Sequence, residues 1–325
     1  MKHISILALS DATMSSIDSS YQILSRVDDF LKYSGNPPFY TVEIVGLKKN
    51  TKLNNGLYNI KVDKIINEIE HTDVIVIPLI CGDFTKTFKR NEQYSAWILS
   101  QYHTGAEIVC LCVGSFFLAS TGLLKGRKCA IHWAAKNEFE TMFPEVNIID
   151  DTIITDESGI YTCGGGFSYL NLLLYIIEKH LGREYSILAS KMFEIDIDRK
   201  NQHQFIIFIG QKKHADKGVL HAQELIENNP TEIFSVDEIC SKVDVGRRTF
   251  ERRFKKCTGN SIAEYIQRVK VEFTKKQLES AGKTINEIIY EVGYNDIDAF
   301  RRIFKKHTDL SPMDYRRKYC GKVAG

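Results

Sequence analysis

Cys112 is the residue whose type and setting most directly suggest chemistry. It follows Glu107-Ile108-Val109-Cys110-Leu111, which reads as a buried strand, and precedes Val113-Gly114-Ser115 and the apolar helical run Phe116-Phe117-Leu118-Ala119. A residue between strand and helix, with glycine two places on, has the geometry of a nucleophile elbow. A thiol there acts as thiolate, and a helix amino terminus behind it is expected to lower its pKa and offer N–H groups to an anion. His132 lies 20 residues beyond Cys112 and could meet it at the end of the sheet as a base. The blander alternative is a small buried residue at a tight turn beside a satisfied strand-end histidine.

A second chemistry is written twice near the end of the chain. Thr249–Tyr265 reads TFERRFKKCTGNSIAEY, and fifty positions later Ala299–Tyr315 reads AFRRIFKKHTDLSPMDY, with eight of 17 positions identical. Each copy places Phe at i and i+4 (Phe250/Phe254, Phe300/Phe304), one buried helical stripe. Basic residues fill the other faces: Arg247, Arg248, Arg252, Arg253, Lys255 and Lys256, then Arg301, Arg302, Lys305 and Lys306. Two short basic helices anchored by phenylalanine suit entry into two major grooves. A pair of merely solvated charged faces is the competing reading, but the duplication extends upstream.

Each basic helix is preceded by a shorter apolar helix and a turn. Ser235 with Glu238, and Thr284 with Glu287, are capping boxes at the same offset. Ile239 and Val243 form the first stripe, followed by a turn at Asp244-Val245-Gly246. Ile285, Ile288 and Val292 form the second, with Gly293 supplying turn freedom. Between the units, Ile262 to Ala281 reads as one long helix stopped by Gly282. The expectation is two helix-turn-helix units, 235–257 and 284–307, joined by one helix.

From about residue 219 to 319 the chain resembles the AraC/XylS-type DNA-binding domain. The likeness rests on Ile285-x-x-Ile288, Glu291-Val292-Gly293-Tyr294, Phe300-Arg301-Arg302-x-Phe304-Lys305-Lys306 and the closing Ser311-Pro312-Met313-Asp314-Tyr315-Arg316. The resemblance implies that the second helix of each unit lies in the major groove. It assigns base-facing roles to Arg248, Glu251 and Arg252 in the first, and to Ile297, Asp298, Arg301 and Arg302 in the second. Arg247, Lys255 and Lys305 complete the expected DNA-binding set. Two positions depart from the pattern: Ile289 stands where a small residue is usual, and Asp298 where a hydroxyl is usual.

The chain's 325 residues carry a net charge of +2, which alone does not mark a nucleic-acid binder. The distribution does. From Gln211 onward there are 23 Lys and Arg against 17 Asp and Glu, and the acidic excess lies in the remainder. The eight cysteines show no CxxC pair with zinc spacing, so no metal or other cofactor is expected. Ile4–Leu9 is too short and weakly flanked for a secretion signal, and no apolar run spans a membrane. Free thiols in a reducing cytoplasm are the expectation.

Ahead of the repeats, strands and helices alternate: strand Ile4–Leu9, a helix around Ser19–Tyr33, strand Thr41–Leu47, strand Asp73–Pro78, a helix near Gln93–His103, and strand Glu107–Leu111. Short strands around Ile153 and Ile160 and a turn at Gly164-Gly165-Gly166 then open a helix, Ser168–Leu181. Leu111 to Ala119, Gly122-Leu123-Leu124-Lys125-Gly126-Arg127 and His132-Trp133 resemble the class I glutamine amidotransferase-like domain, over residues 1 to about 195. That superfamily includes intracellular proteases and amidases, and one branch precedes AraC-type domains. The resemblance implies a Cys–His pair, with an acid near the first helix. Here the acid position falls on Ser16, with Asp18 two residues away. Leu79 stands where a glycine is usual in the loop Leu79-Ile80-Cys81-Gly82, restricting an oxyanion site.

Taken together, the expectation is a flavodoxin-like α/β sandwich (1–195) for ligand sensing and dimerisation, a linker (196–218), and an all-α DNA-binding domain (219–325). The apolar patch Phe205–Ile209 is expected to dock back onto the α/β domain. Cys112, His132, Ser16 and Gly82 are candidate ligand-binding residues rather than catalytic ones. The expected partners are a promoter operator in double-stranded DNA, a small-molecule effector, RNA polymerase and a second copy of the chain, in the cytoplasm and without a membrane. The alternative is a cysteine-dependent amidase or hydrolase, or a thiol redox sensor, fused to a DNA-binding domain.

Overall fold

The computed structural model describes residues 1–150, 152–197, 199–243, 245–280 and 282–321. The chain divides into two compact units, Met1–Gln202 and His203–Gly325.

The first unit is built on a seven-stranded sheet. Strands β1 (Lys2–Leu7), β2 (Tyr40–Gly46), β5 (Lys64–Ile65), β6 (Val74–Ile77), β7 (Glu107–Cys110) and β11 (Ile160–Cys163) run parallel. β10 (Ile154–Glu157) is the antiparallel edge, and the order is β10-β11-β7-β6-β1-β2-β5. The central strands are buried runs without alternation: Ile4, Ile6 and Leu7 in β1, and Val74 to Ile77 in β6, are fully enclosed. Covering both faces of a parallel sheet requires that pattern. Two small pairs, β3 (Asn50–Leu53) with β4 (Tyr58–Lys61) and β8 (Lys128–Cys129) with β9 (Asn147–Ile148), stand outside this sheet.

Helix α1 (Met14–Tyr33) packs with α6 (Tyr169–Leu181) and α7 (Arg183–Met192). Helix α2 (Phe84–Arg90) packs with α4 (Ser115–Ser120), while α3 (Glu92–His103) and α5 (Lys136–Met142) complete the set. The chain adds β2 and then β5 on one side of β1 and returns on the other side as β6, so the carboxyl ends of β1 and β6 form a topological switch point. The loops that leave them touch at an isolated bridge between Ala12 and Ile80. α1 begins at Met14, earlier than the expected Ser19; in its serine-rich first turns Ser20 Oγ donates to the Ser16 carbonyl at 2.7 Å, so the hydroxyls are satisfied within the helix.

The second unit is helical: α8 (Lys217–Asn228), α9 (Val236–Lys242), α10 (Arg247–Thr258), α11 (Ile262–Glu279), α12 (Ile285–Glu291), α13 (Ile297–Thr308) and α14 (Pro312–Tyr319). Both expected capping boxes form, Ser235 with Glu238 and Thr284 with Glu287, and Ser261 with Glu264 adds a third at the head of α11. Two apolar cores result. Ile239, Phe250, Phe254, Ile262 and Tyr265 share one; Leu278, Ile288, Ile289, Phe300, Phe304 and Tyr315 share the other. α11 contributes to both, so a single helix holds the two halves. Ile289 is wholly buried in the second core, which explains the larger residue there. Asp244 and Ala281, expected in the first turn and at the end of α11, lie outside the described residues.

The segment expected as a linker divides at Gln202. Before it, Asn171 Nδ2 donates to the Asp196 carbonyl at 2.5 Å and the Ile153 N–H donates to the Lys200 carbonyl at 3.0 Å, both within the α/β unit. After it, the apolar patch docks on the helical unit, which corrects the expected docking onto the α/β domain. Phe208 meets Tyr265 edge-on at 5.0 Å, its N–H donates to Glu272 at 3.1 Å, and Lys275 Nζ donates to the Ile206 carbonyl at 2.6 Å. Buried Lys275 and half-buried Glu272, 2.8 Å apart, hold this arm through its backbone, a requirement no apolar pattern announces.

Candidate nucleic-acid interface and thiol site

The two halves of the helical unit repeat in atomic detail. Thr258 Oγ1 donates to the Phe254 carbonyl at 2.8 Å, and Thr308 Oγ1 to the Phe304 carbonyl at 2.8 Å. Each helix ends on a left-handed residue, Gly259 (φ 68°) in the first and Asp309 (φ 58°) in the second, a position where a side chain is costly unless short and polar. With the phenylalanines of α10 and α13 fully buried, the same frame turns one basic face of each helix outward. Arg248, Arg252, Lys255, Arg301, Arg302 and Lys305 are exposed, as is Asp298, while Glu251 and Ile297 are half-buried.

The expected base-facing residues are not equivalent. Arg248, Arg252 and Arg302 have no ion-pair partner among the described residues, so their guanidinium groups are available to base edges. Arg247 is engaged: its Nη1 lies 2.9 Å from Asp237 Oδ1 and its Nε 3.1 Å from Glu251. Arg301 Nη1 lies 3.2 Å from Asp298, one turn earlier on α13. Arg253, part of the same basic run, instead grips Asp216 through Nε at 2.8 Å and Nη2 at 2.6 Å. Asp216 also caps α8. The guanidinium beside it holds its carboxyl down at about 2, so this arginine ties α10 to α8.

At the end of β7, Cys112 takes φ 51°, a left-handed conformation unusual for a residue with a side chain. Ser115 Oγ closes the turn by donating to the Cys112 carbonyl at 2.9 Å. Gly114 is required two places on, because a Cβ there would lie 2.5 Å from the Pro78 carbonyl. These features reproduce the backbone of a nucleophile elbow.

The surroundings of the thiol are not those of a low-pKa nucleophile. Cys112 is 1% exposed, and burial pushes its thiol up to about 12, against partial help from the facing N–H groups of Val113 and Gly165. The expected lowering is thus corrected: the desolvation of a buried thiolate outweighs two backbone donors. Its neighbours are also thiols, with the Cys112 N–H 3.2 Å from Cys163 Sγ and buried Cys110 and Cys129 close by. All eight cysteines are free, and among the described residues no group of three or more His, Cys, Asp or Glu could hold a metal ion.

His132 stands at the head of a short 3-10 turn, half-buried, with Nδ1 accepting the Ala134 N–H at 3.1 Å. Burial lowers its pKa, favouring the neutral ring. Ser16 is fully buried on α1. Its Oγ donates to the Thr13 carbonyl at 2.9 Å and accepts the Leu79 N–H at 3.2 Å, which uses up the backbone donor of the very loop that an oxyanion site would need. Asp18 is exposed. Gly82, at φ 89°, has open space where a Cβ would stand.

Three features went unread in the sequence. Gly165, whose amide faces the Cys112 sulfur, comes from the glycine turn before α6. Ser168, in that same turn, is fully enclosed with a hydroxyl that has no hydrogen-bond partner. Gln202, 5% exposed, lies against Gly164 and Gly165 of that turn. The run of three glycines was the one available signal.

Residues 31–179 match the DJ-1/PfpI family, and residues 239–318 match a helix-turn-helix domain. The chain therefore joins a flavodoxin-like α/β domain of the DJ-1/PfpI type to an AraC-type helix-turn-helix domain. Among curated proteins, it is 25% identical over 240 residues to the HTH-type transcriptional regulator GbdR of Pseudomonas aeruginosa, covering 74% of this chain and 65% of that protein. The chain thus spans slightly less than two-thirds of that relative's length. It is 34% identical over 102 residues to the xylose operon regulatory protein of Escherichia coli, 31% of this chain and 26% of that one. A putative transcriptional regulator protein from Vibrio parahaemolyticus shares the fold, with a TM-score of 0.52 and 21% identity over 59% of this chain and 98% of that structure.

Proposed function

We propose that this protein is a sequence-specific DNA-binding transcription regulator whose α/β unit senses a small molecule. The observation that carries the reading is the pair α10 and α13, two helices in one repeated frame, which direct Arg248 and Arg252 on the first and Arg302 on the second outward and unpaired. Arg248, Arg252 and Arg302 read bases, together with Glu251, Asp298 and Arg301. Lys255 and Lys305 meet phosphates, and Arg247 does so once it leaves Asp237. The named relatives are transcriptional regulators, which favours the same reading.

The effector site in this reading lies around Cys112 and His132, on the elbow side of the sheet, with Ser16 on α1 and Gly82 in the loop after β6 beside it. Ser168 supports this placement, because an enclosed hydroxyl without a partner is a cost that a bound polar group would remove. Catalysis is not proposed. The thiol is held protonated, the acid position is Ser16, and the Leu79 amide is already bonded. The α/β unit (residues 1–195 as read from sequence) is taken as the dimerising part, with residues 219–325 as the DNA-binding part that works with RNA polymerase at a promoter in the cytoplasm. No helix among the described residues is long and apolar enough to cross a membrane.

The test is selection from a pool of random duplexes with the purified full chain at moderate salt. Enrichment of a defined sequence is the expected result. A pool that stays random while the protein still binds duplex would reduce the function to non-specific DNA binding, and no binding would remove it.

A further inference from the structure

Gln202 is the last residue of the α/β unit, and its side chain turns back into that unit rather than outward. Its Nε2 donates to the Ile131 carbonyl at 2.9 Å, and its Oε1 accepts the Trp133 N–H at 3.2 Å. Those two groups flank His132. On its other side the carboxamide presses on the glycine turn. A Cβ on Gly164 would run into the Gln202 amide nitrogen and stand 2.6 Å from the Ile131 carbonyl, so glycine alone fits there. The next residue, Gly165, is the one whose amide faces the Cys112 sulfur, and its own neighbour is the unpartnered Ser168 hydroxyl.

The connection onward is short. Upstream, the Ile153 N–H donates to the Lys200 carbonyl and pins the chain, and the carbonyl of the same Ile153 accepts the Gly164 N–H at 2.9 Å. Downstream, the first backbone group held by α11 is the Ile206 carbonyl, on Lys275. Only the turn His203–Phe205 lies between. A buried carboxamide with both ends bonded keeps its place unless a partner moves, since an unmade bond there costs more than a made one returns.

We propose that Gln202 is the positioning residue of the thiol site, joining the His132 segment and the glycine turn to the chain that enters the helical unit. The inference rests on the effector-site reading above. A ligand that displaces Gly165 or the His132 segment must break or move the Gln202 bonds, and the displacement then reaches the first residue of the helical unit. Because coupling is reciprocal, binding of DNA must act back on the same bonds.

The experiment is hydrogen exchange on the full chain, with and without the duplex enriched by selection, for wild type, Gln202→Ala and Gln202→Met. Without DNA, both variants are expected to exchange the Trp133 amide about tenfold faster, since a bonded backbone group is released. Unchanged exchange would overturn the clamp. With DNA, wild type is expected to change exchange in peptides covering 131–135 and 163–168. Both variants, binding DNA within about twofold of wild type because the bonds of Gln202 lie within the α/β unit, lose that change. Methionine fills the space without the hydrogen bonds, so a wild-type response in Gln202→Met, or no response in wild type, overturns the proposal. A wild type that binds no duplex shows the failure of the DNA reading in the binding isotherm, and the DNA-free measurement still decides the clamp.

Discussion

The ring of Phe304 stands edge-on to that of Tyr315, with centroids 5.5 Å apart and planes at 88°. Fifty residues earlier, Phe254 and Tyr265 meet at 5.3 Å and 88°. Each pair locks a basic helix to the helix that follows its loop, so the repeat in sequence is a repeat in packing. The tyrosine hydroxyls are held as well, Tyr315 by Glu279 at 2.8 Å and Tyr265 by Glu227.

Phe304→Ala is therefore expected to destabilise the helical unit by about 3–5 kcal/mol, the usual cost of removing a fully buried ring. Calorimetry on the full chain is expected to show the helical transition falling while that of the α/β unit stays in place. An equal drop in both would show that the two units do not unfold separately.

A pH dependence follows from Glu107. His180 Nε2 lies 2.6 Å from its carboxylate and Tyr161 donates to it at 2.9 Å, and chiefly the His180 bond holds its carboxyl down at about 2, against burial, from an ordinary 4.5. A depressed folded pKa means that this stabilisation is fully present above the unfolded value and is lost as pH falls from about 4.5 towards 2. The urea stability of wild type minus that of Glu107→Gln is expected to shrink steadily between about pH 5 and pH 3. A difference that stays constant across that window would remove Glu107 as the titrating group.

Cys112 is expected to be slow to alkylate. With its thiol at about 12 and 1% of its surface exposed, little thiolate is present or reachable near neutral pH. Mass spectrometry after brief iodoacetamide treatment is expected to find Cys320, which is half-buried, labelled well before Cys112. In the same vein, turnover of amide, ester and glyoxal-type substrates is expected to be equal for wild type and Cys112→Ala. Early labelling of Cys112, or a rate that depends on it, would restore the enzymatic reading.

What the sequence disclosed followed how locally each feature is encoded. The capping boxes at Ser235 and Thr284, the Phe i, i+4 stripes and the apolar runs of β1 and β6 are short-range patterns, and they were legible. Helix α2 was missed because it has seven residues, and its apolar pair, Phe84 and Phe88, is explained only by Phe116 and Phe117 packed against it. The elbow backbone was legible from Cys112 and Gly114, but the sign of the thiol's pKa was not. That sign depends on how completely the four thiols are enclosed, a property of the folded interior. Arg253 shows the same limit: it reads as one more basic residue of α10, and only the fold reveals Asp216 beside it.

The most direct test of the account compares the sequences selected by wild type, Arg252→Ala and Arg302→Ala. Two recognition helices on one face of DNA imply two sub-sites about one helical turn, or roughly 10 base pairs, apart. Each variant is expected to cost about 1–3 kcal/mol of binding and to relax preference in one sub-site only, a different one for each. Lys255→Ala and Lys305→Ala are expected instead to weaken all sequences alike and to flatten the salt dependence. If both arginine variants relax the same positions, or neither alters the selected sequence, α10 and α13 do not read DNA as a pair and the account is wrong.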